Sequence, residues 1–285
     1  MSLKNIIKVA LLDMDGVLRI GTRAICGATN VFSYLKSLHI QPMIITNECR
    51  YTDKQIKKDL KKMNFLNIEK IPIITSGNVC KTWLTTYLKD YNTNSININI
   101  ISEYGLKDTI YSLLNIPKIN NIDFSIKYDN NKQNILILGN LFNYTNYHEQ
   151  ILEDWMFNDD LLIVKTCNDD SIPEGLYGFN DKCVVPNTIL DLFRKEADIC
   201  TGKPELIYNM EIQQELKKLN LQHIKPSEIL LIGDTIETDI RMGYNSGYKT
   251  VLVLSGNTKN IADISNNIIQ PDYILLSVED LPRIM

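Results

Sequence analysis

No apolar run in this 285-residue chain is long enough to cross a bilayer, which takes about 20 such residues in a helix. The N-terminus lacks the cationic, apolar and small-residue succession of a secretion signal, so a cytoplasmic protein without a membrane role is expected. Cys26, Cys49, Cys80, Cys167, Cys183 and Cys200 are scattered, with no Cys-x-x-Cys. That spacing fits reduced thiols better than a disulfide framework or a zinc site. Broad positive charge is missing too: the net charge is -4 and the pI near 5.5, which disfavours nucleic acid or an acidic membrane as partner. His39, His148 and His223 lie far apart and read as structural or solvent-exposed. No internal repeat, coiled coil or long low-complexity region interrupts the chain.

What is present is an ordinary globular composition, 44% hydrophobic and 22% charged, at a length that suits two domains. The stretch around which the rest is organised is Val9-Ala10-Leu11-Leu12-Asp13-Met14-Asp15-Gly16-Val17-Leu18. An unbroken apolar run ending in two acids and a glycine reads as a buried parallel strand that delivers Asp13 and Asp15 at its carboxyl end, where open α/β sheets place their chemistry. Two carboxylates converging in a low-dielectric site repel unless a cation lies between them or one is protonated. The pair therefore implies a metal or a division into acid and base. Alone, Asp-x-Asp-Gly is also a common turn.

Strand and helix then alternate. A helix follows Gly27-Ala28-Thr29, and Met43 to Asn47 is a second apolar strand with a polar tip. Thr52-Asp53-Lys54-Gln55 is a capping box for the next helix, Ile71 to Ile74 a third strand, and Val79 to Leu88 a helix. This is the pattern of a parallel sheet with right-handed crossovers. The Asn-rich segment from Asp90 to Asn99 reads as a boundary. Beyond it a second α/β unit is expected, with strands at 98–101, 124–128, 135–138 and 161–166 and helices at 104–114, 147–157 and 187–194. Residues 19–26 and 168–175 read as loops. From Thr201 the chain returns to the first unit: Pro204 is placed as the first residue of a helix, Ile229 to Asp234 repeats the apolar strand with an acid at its tip, and strands at 250–254 and 273–276 complete the sheet. Lys203, a cation at a helix start, opposes the helix dipole, which points to another purpose.

Asp13-x-Asp15-Gly16, Thr46-Asn47, Lys203-Pro204 and Gly233-Asp234-Thr235-x-x-Thr238-Asp239, in this order and each at a strand end or helix start, resemble the four motifs of the haloacid dehalogenase-like hydrolases. Gly202-Lys203-Pro204 and Leu252-Val253-Leu254-Ser255-Gly256 bring the resemblance closer to the NagD-like, para-nitrophenyl phosphatase branch. The resemblance implies a Rossmann-like parallel sheet core, residues 1–88 plus 200–285, with an inserted α/β cap, residues 89–199, that selects the substrate. It implies a phosphatase acting on a small phosphorylated metabolite; a homodimer is compatible with it. Asp13 would be the nucleophile that forms an aspartyl-phosphate, and Asp15 the general acid and then base. Mg2+ would be held by the Asp13 and Asp234 carboxylates and the Asp15 carbonyl, with Asp239 behind them. Lys203 would neutralise charge, and Thr46 and Asn47 would bind phosphoryl oxygens. Asn168 and Asp169, in the cap loop, would contact the substrate. Each residue type suits the reaction, because a phosphate monoester needs an in-line nucleophile, charge neutralisation and a proton for its leaving oxygen.

Two segments depart from the branch: Glu48-Cys49-Arg50, where it carries small or polar residues, and Val185-Pro186-Asn187-Thr188, where its cap carries a glycine turn. A phosphomutase of the same superfamily and a catalytically silent protein keeping the fold are the alternatives. A nucleotide-dependent dehydrogenase is disfavoured by the lack of Gly-x-Gly-x-x-Gly after the first strand.

Overall fold

The computed structural model describes residues 3–90, 95–116, 122–170, 183–260, 264 and 267–285. In chain order its first elements are β1 (Val9–Leu12), the short hairpin β2 (Arg19–Ile20) and β3 (Arg23–Ala24), α1 (Val31–Ser37), β4 (Gln41–Thr46), α2 (Asp53–Lys62), β5 (Ile73–Thr75) and α3 (Ser76–Asp90). The middle part holds β6 (Ile96–Ile101), α4 (Tyr104–Tyr111), β7 (Ile122–Phe124), β8 (Gln133–Leu138), α5 (Asn146–Met156), β9 (Leu161–Lys165), α6 (Pro186–Phe193) and β10 (Ile199–Cys200). The last part is α7 (Leu206–Lys218), β11 (Ile229–Gly233), α8 (Arg241–Ser246), β12 (Lys249–Val253) and β13 (Tyr273–Leu275). No helix among the described residues is long and apolar enough to cross a membrane.

The apolar strands need cover on both faces, because successive side chains point to opposite sides. Ala10, Leu12, Ile44, Leu230 and Ile232 pack into one core cluster. Val9, Leu11, Met43, Ile45 and Leu231 pack into another. The resulting core sheet is parallel throughout, in the order β13-β12-β11-β1-β4-β5. A second parallel sheet, β10-β9-β8-β6-β7, is built from the segment expected to be the cap. Its Ile96, Ile98, Ile100, Ile135 and Ile137 cover one face and Ile101, Leu136, Leu138 and Ile163 the other. Each fully buried aliphatic side chain is worth roughly 1.5–3 kcal/mol, so β1, with all four residues at 0% exposure, presents its polar tip from a rigid base.

Helix α2 forms as the capping box requires: the Gln55 N–H donates to Thr52 Oγ1 at 3.4 Å and the Thr52 N–H to Gln55 Oε1 at 2.8 Å. Three sequence expectations shift. Pro204 is not the first helical residue: residues 202–205 close a turn in which the Glu205 N–H donates to the Gly202 carbonyl at 3.1 Å, and α7 starts at Leu206. The strand expected to reach Tyr128 ends at Phe124, because the Ser125 hydroxyl takes the Lys127 N–H at 3.0 Å and turns the chain. Residues 19–26, read as loop, contain the β2–β3 hairpin. Of the expected cap loop at 168–175, residues 171–175 lie outside the described residues. At the edge of the cap sheet, β10 pairs with β9 and runs straight into Thr201, Gly202 and Lys203.

Candidate active site

Strand β1 lies between β4 and β11. The strand order reverses there, and a crevice opens at the carboxyl end of the sheet. Asp13, Asn47 and Asp234 each follow the last residue of one of these strands. The Asp13 N–H donates to the Ile232 carbonyl at 2.9 Å, which continues the ladder and fixes where its side chain emerges. Thr46 is held from below: Tyr208 Oη, on α7, takes the Thr46 N–H at 2.8 Å and donates to the Ile74 carbonyl at 2.6 Å.

Lys203 is the hub. Its Nζ donates to Asp13 Oδ1 at 2.5 Å and to Asp239 Oδ1 at 2.6 Å, and its N–H donates to Asn47 Oδ1 at 2.7 Å. Asp239 stands on a wide turn over Ile236–Ile240, and its Oδ2 takes the N–H groups of Asp234 and Thr235, both at 3.2 Å. Carboxylate oxygens of Asp13, Asp234 and Asp239 lie within 4.8 Å of one another, all buried. Asp234 is packed against backbone. Its Oδ2 takes the Asn257 N–H at 2.6 Å, and a Cβ on Gly256 would stand 1.9 Å from that oxygen. Gly16, at φ 87°, is in the left-handed region that favours glycine, and it too leaves no room for a Cβ beside Asp234.

Three buried carboxylates around one ammonium leave an excess of negative charge. Burial pushes the Asp13 carboxyl well up despite Lys203, with Asp239 and Asp234 adding to the rise. Burial and then Asp239 push Asp234 up to about 7. Burial lowers the Lys203 ammonium, but Asp13 and Asp239 outweigh it and hold it well above its usual value. Hard oxygen donors converging with unbalanced charge fit a divalent cation such as Mg2+.

Asp15 turns away from this cluster. Its Oδ1 takes the Arg19 Nε–H at 2.8 Å, and burial outweighs Arg19 to keep its carboxyl above the ordinary range. A small cavity of about 40 Å³ joins the two groups; Asp13, Asp15, Thr46, Asn47, Lys203 and Asp234 line it, with Asn140 and Asp169 entering from the cap. Asp169 Oδ2 takes the Asn47 Nδ2–H at 2.8 Å, which ties cap to core. Asn168 is not among the lining residues; its Nδ2–H donates instead to Glu205 Oε1 at 2.9 Å. Burial raises the Asp169 carboxyl to about 6.

Sequence reading missed three charged neighbours. Arg19 is four residues after Asp15, a spacing that could have marked it as a partner. Glu48 and Arg50 were noted only as departures from the branch; they form a buried ion pair beside Arg19. Tyr208 carried no signal, because its role depends on a contact 162 residues away.

A model of haloacid dehalogenase-like hydrolases matches residues 10–109, and a HAD-hydrolase-like model matches residues 200–281. An acid sugar phosphatase of Staphylococcus epidermidis is 25% identical over 264 residues, 92% of either chain. The structure of a 4-nitrophenylphosphatase from Thermotoga maritima superposes with a TM-score of 0.77 at 17% identity, covering 99% of both chains. That of a glycerol phosphate phosphatase from Mycobacterium tuberculosis in complex with magnesium gives 0.73 at 15% identity, covering 99% of this chain and 78% of the other. The two family models between them hold all four motifs, so the chain belongs to the haloacid dehalogenase-like hydrolases.

Proposed function

We propose that this enzyme is a Mg2+-dependent phosphatase that hydrolyses a small phosphorylated metabolite through an aspartyl-phosphate on Asp13. The observation that carries the reading is the buried triad of Asp13, Asp234 and Asp239 closed around Lys203 at the switch point of the core sheet. The acid sugar phosphatase relative makes sugar phosphates the first esters to test.

In the first half-reaction a carboxylate oxygen of Asp13 attacks phosphorus, the bond to the leaving oxygen breaks, and Asp15 gives that oxygen its proton. A carboxyl held above its ordinary range by burial suits a group that must start protonated. In the second, Asp15 takes a proton from water, the water oxygen attacks phosphorus, and the bond to Asp13 breaks to release inorganic phosphate. Lys203, Thr46 and Asn47 hold phosphoryl oxygens in line. The Asp13 and Asp234 carboxylates and the Asp15 carbonyl would hold Mg2+, with Asp239 fixing Lys203 behind them. Bound there, Mg2+ would supply the positive charge that keeps Asp13 ionised and offsets the phosphoryl dianion. Asp169 reaches the leaving group from the cap.

Turnover with 32P-labelled sugar phosphate, quenched in acid, tests this reading. Label on Asp13, with release of inorganic phosphate, is the expected result. Label that moves to another hydroxyl of the sugar would make the enzyme a mutase. Turnover with no labelled protein in wild type would remove the covalent route.

A further inference from the structure

Glu48 and Arg50 take no part in the steps above, yet their side chains are only 1% and 0% exposed. A buried ion pair contributes little to stability relative to apolar residues of the same volume, so its contacts are the place to look for a purpose. The Arg50 Nε–H donates to Glu48 Oε1 at 2.9 Å, the Arg50 N–H reaches the same oxygen at 2.7 Å, and Arg50 Nη2 pairs with Oε2. On one side of this pair, Glu48 Oε2 lies 3.8 Å from Arg19 Nη2, and Arg19 Nε holds Asp15 Oδ1. On the other side is the cap. The Arg50 guanidinium carbon is 4.4 Å from the centre of the Phe142 ring, and the Arg50 carbonyl takes the Gly105 N–H at 3.0 Å.

The row therefore alternates in sign, Asp15, Arg19, Glu48, Arg50, and ends on an aromatic face of the cap. Its effect on Asp15 follows from guanidinium geometry. Left alone beside a carboxylate, an arginine takes both oxygens in a fork, and an Asp15 so engaged would have no free oxygen to carry a proton to the leaving group. Here Arg19 meets Oδ1 through Nε while its Nη2 is drawn toward Glu48. Arg50 fixes the Glu48 carboxylate, and Phe142 covers Arg50 with a cation–π contact available only when the cap is seated.

We propose that Glu48 and Arg50 are positioning residues: they couple seating of the cap, through Phe142, to the aim of the Asp15 carboxyl, so that proton delivery to the leaving oxygen is complete only under a docked cap. This rests on Asp15 being the acid. Asp15 cannot be replaced without touching the chemistry, whereas Glu48→Gln keeps shape and removes the charge that draws Arg19 aside, and Phe142→Ala acts from the cap on a half-buried residue.

The test compares kcat and KM for p-nitrophenyl phosphate, whose leaving group needs little protonation, with those for glycerol phosphate, whose alkoxide needs a full proton. Glu48→Gln is expected to lower kcat on glycerol phosphate about 30-fold and on p-nitrophenyl phosphate less than about 3-fold, with KM nearly unchanged. Phe142→Ala should show the same split at about fivefold. Loss of equal size on both esters, or no loss, overturns the inference. Should Glu48→Gln fail to fold by thermal melting, the Phe142→Ala split decides alone. Asp15→Asn on the same two esters separates the layers. If it shows no split, the acid assignment itself fails; if it shows one that Glu48→Gln and Phe142→Ala lack, only the positioning role fails.

Discussion

At the carboxyl end of the core sheet, β1, β4 and β11 finish in Asp13, Asn47 and Asp234, whereas the cap strands β6, β8 and β9 run into Ser102, Gly139 with Asn140, and Thr166. Both are parallel sheets with largely buried strands, and the two sets of tips face each other. The cap tips are neutral and gather on one thiol. Cys49 Sγ takes the Asn140 N–H at 3.3 Å and the Thr166 hydroxyl at 3.4 Å, with Ser102 Oγ at 3.9 Å. Burial pushes that thiol up, so it docks as a neutral group. Like architectures thus differ in what stands at the strand ends: charge in the core, where the chemistry is proposed, and small polar groups in the cap, where the two sheets meet.

The strongest way to break this division is to remove charge from a core tip. Asp13→Asn keeps the shape but cannot attack phosphorus, and turnover should fall about 10³-fold or more, while the melting temperature stays the same or rises, since a buried, repelled carboxyl is gone. Hydrolysis near the wild-type rate would reassign the nucleophile. Asp234→Ala comes next. With one of its carboxylates missing, the site should need about tenfold more Mg2+ for half-maximal rate, read from a Mg2+ titration after EDTA treatment. An unchanged titration would move the metal away from Asp234.

The seat of the cap, where helix α4 meets the core, should respond differently. A Cβ on Gly105 would stand 2.4 Å from the Arg50 carbonyl oxygen, which is backbone and cannot swing aside. Gly105→Ala is therefore expected to push the cap off its seat, lowering stability by about 1–3 kcal/mol in urea unfolding. Its kcat/KM should drop several-fold with the Mg2+ titration unmoved. A shifted titration would mean that the seat of the cap and the core tips are not separable.

The core tips were legible because the signal is local: an apolar run that stops at an acid or amide is written in consecutive residues, as in Leu12-Asp13, Thr46-Asn47 and Gly233-Asp234. The alternation of strand and helix was legible for the same reason. What could not be read is partnership across the chain. Lys203 meets Asp13 over 190 positions, and nothing in either segment names the other. The cap tips gave no signal at all, since serine, asparagine and threonine after a strand are what any turn carries. Pro204 misled because proline suits both the first turn of a helix and a turn before one; the competing pull on Lys203 by Asn47, Asp13 and Asp239 accompanies the second outcome.

Asp169 crosses the division, as a cap carboxyl among the residues that line the core's cavity, and it should give the smallest effect. Burial lifts it from 3.8 to about 6, so the folded chain keeps a proton there that the unfolded chain releases as pH rises from about 4 to about 6. Folding is then favoured below this window, loses stability through it, and is flat above it. Asp169→Asn cannot titrate. In metal-free buffer, urea unfolding of the variant relative to wild type should shift in favour of the variant by about 1 kcal/mol between pH 4.5 and pH 7.5, a value reduced from the full linkage because the side chain is only half-buried. Both oxygens of an ionised Asp169 could still accept from Asn47, so the bond itself does not predict the slope; desolvation under the cap does. Parallel curves for the two proteins would mean that Asp169 is ionised in the cleft at pH 4.5. The cap would then place a negative charge beside the core's carboxylates in acid as well as at neutral pH, where a group at about 6 is already ionised.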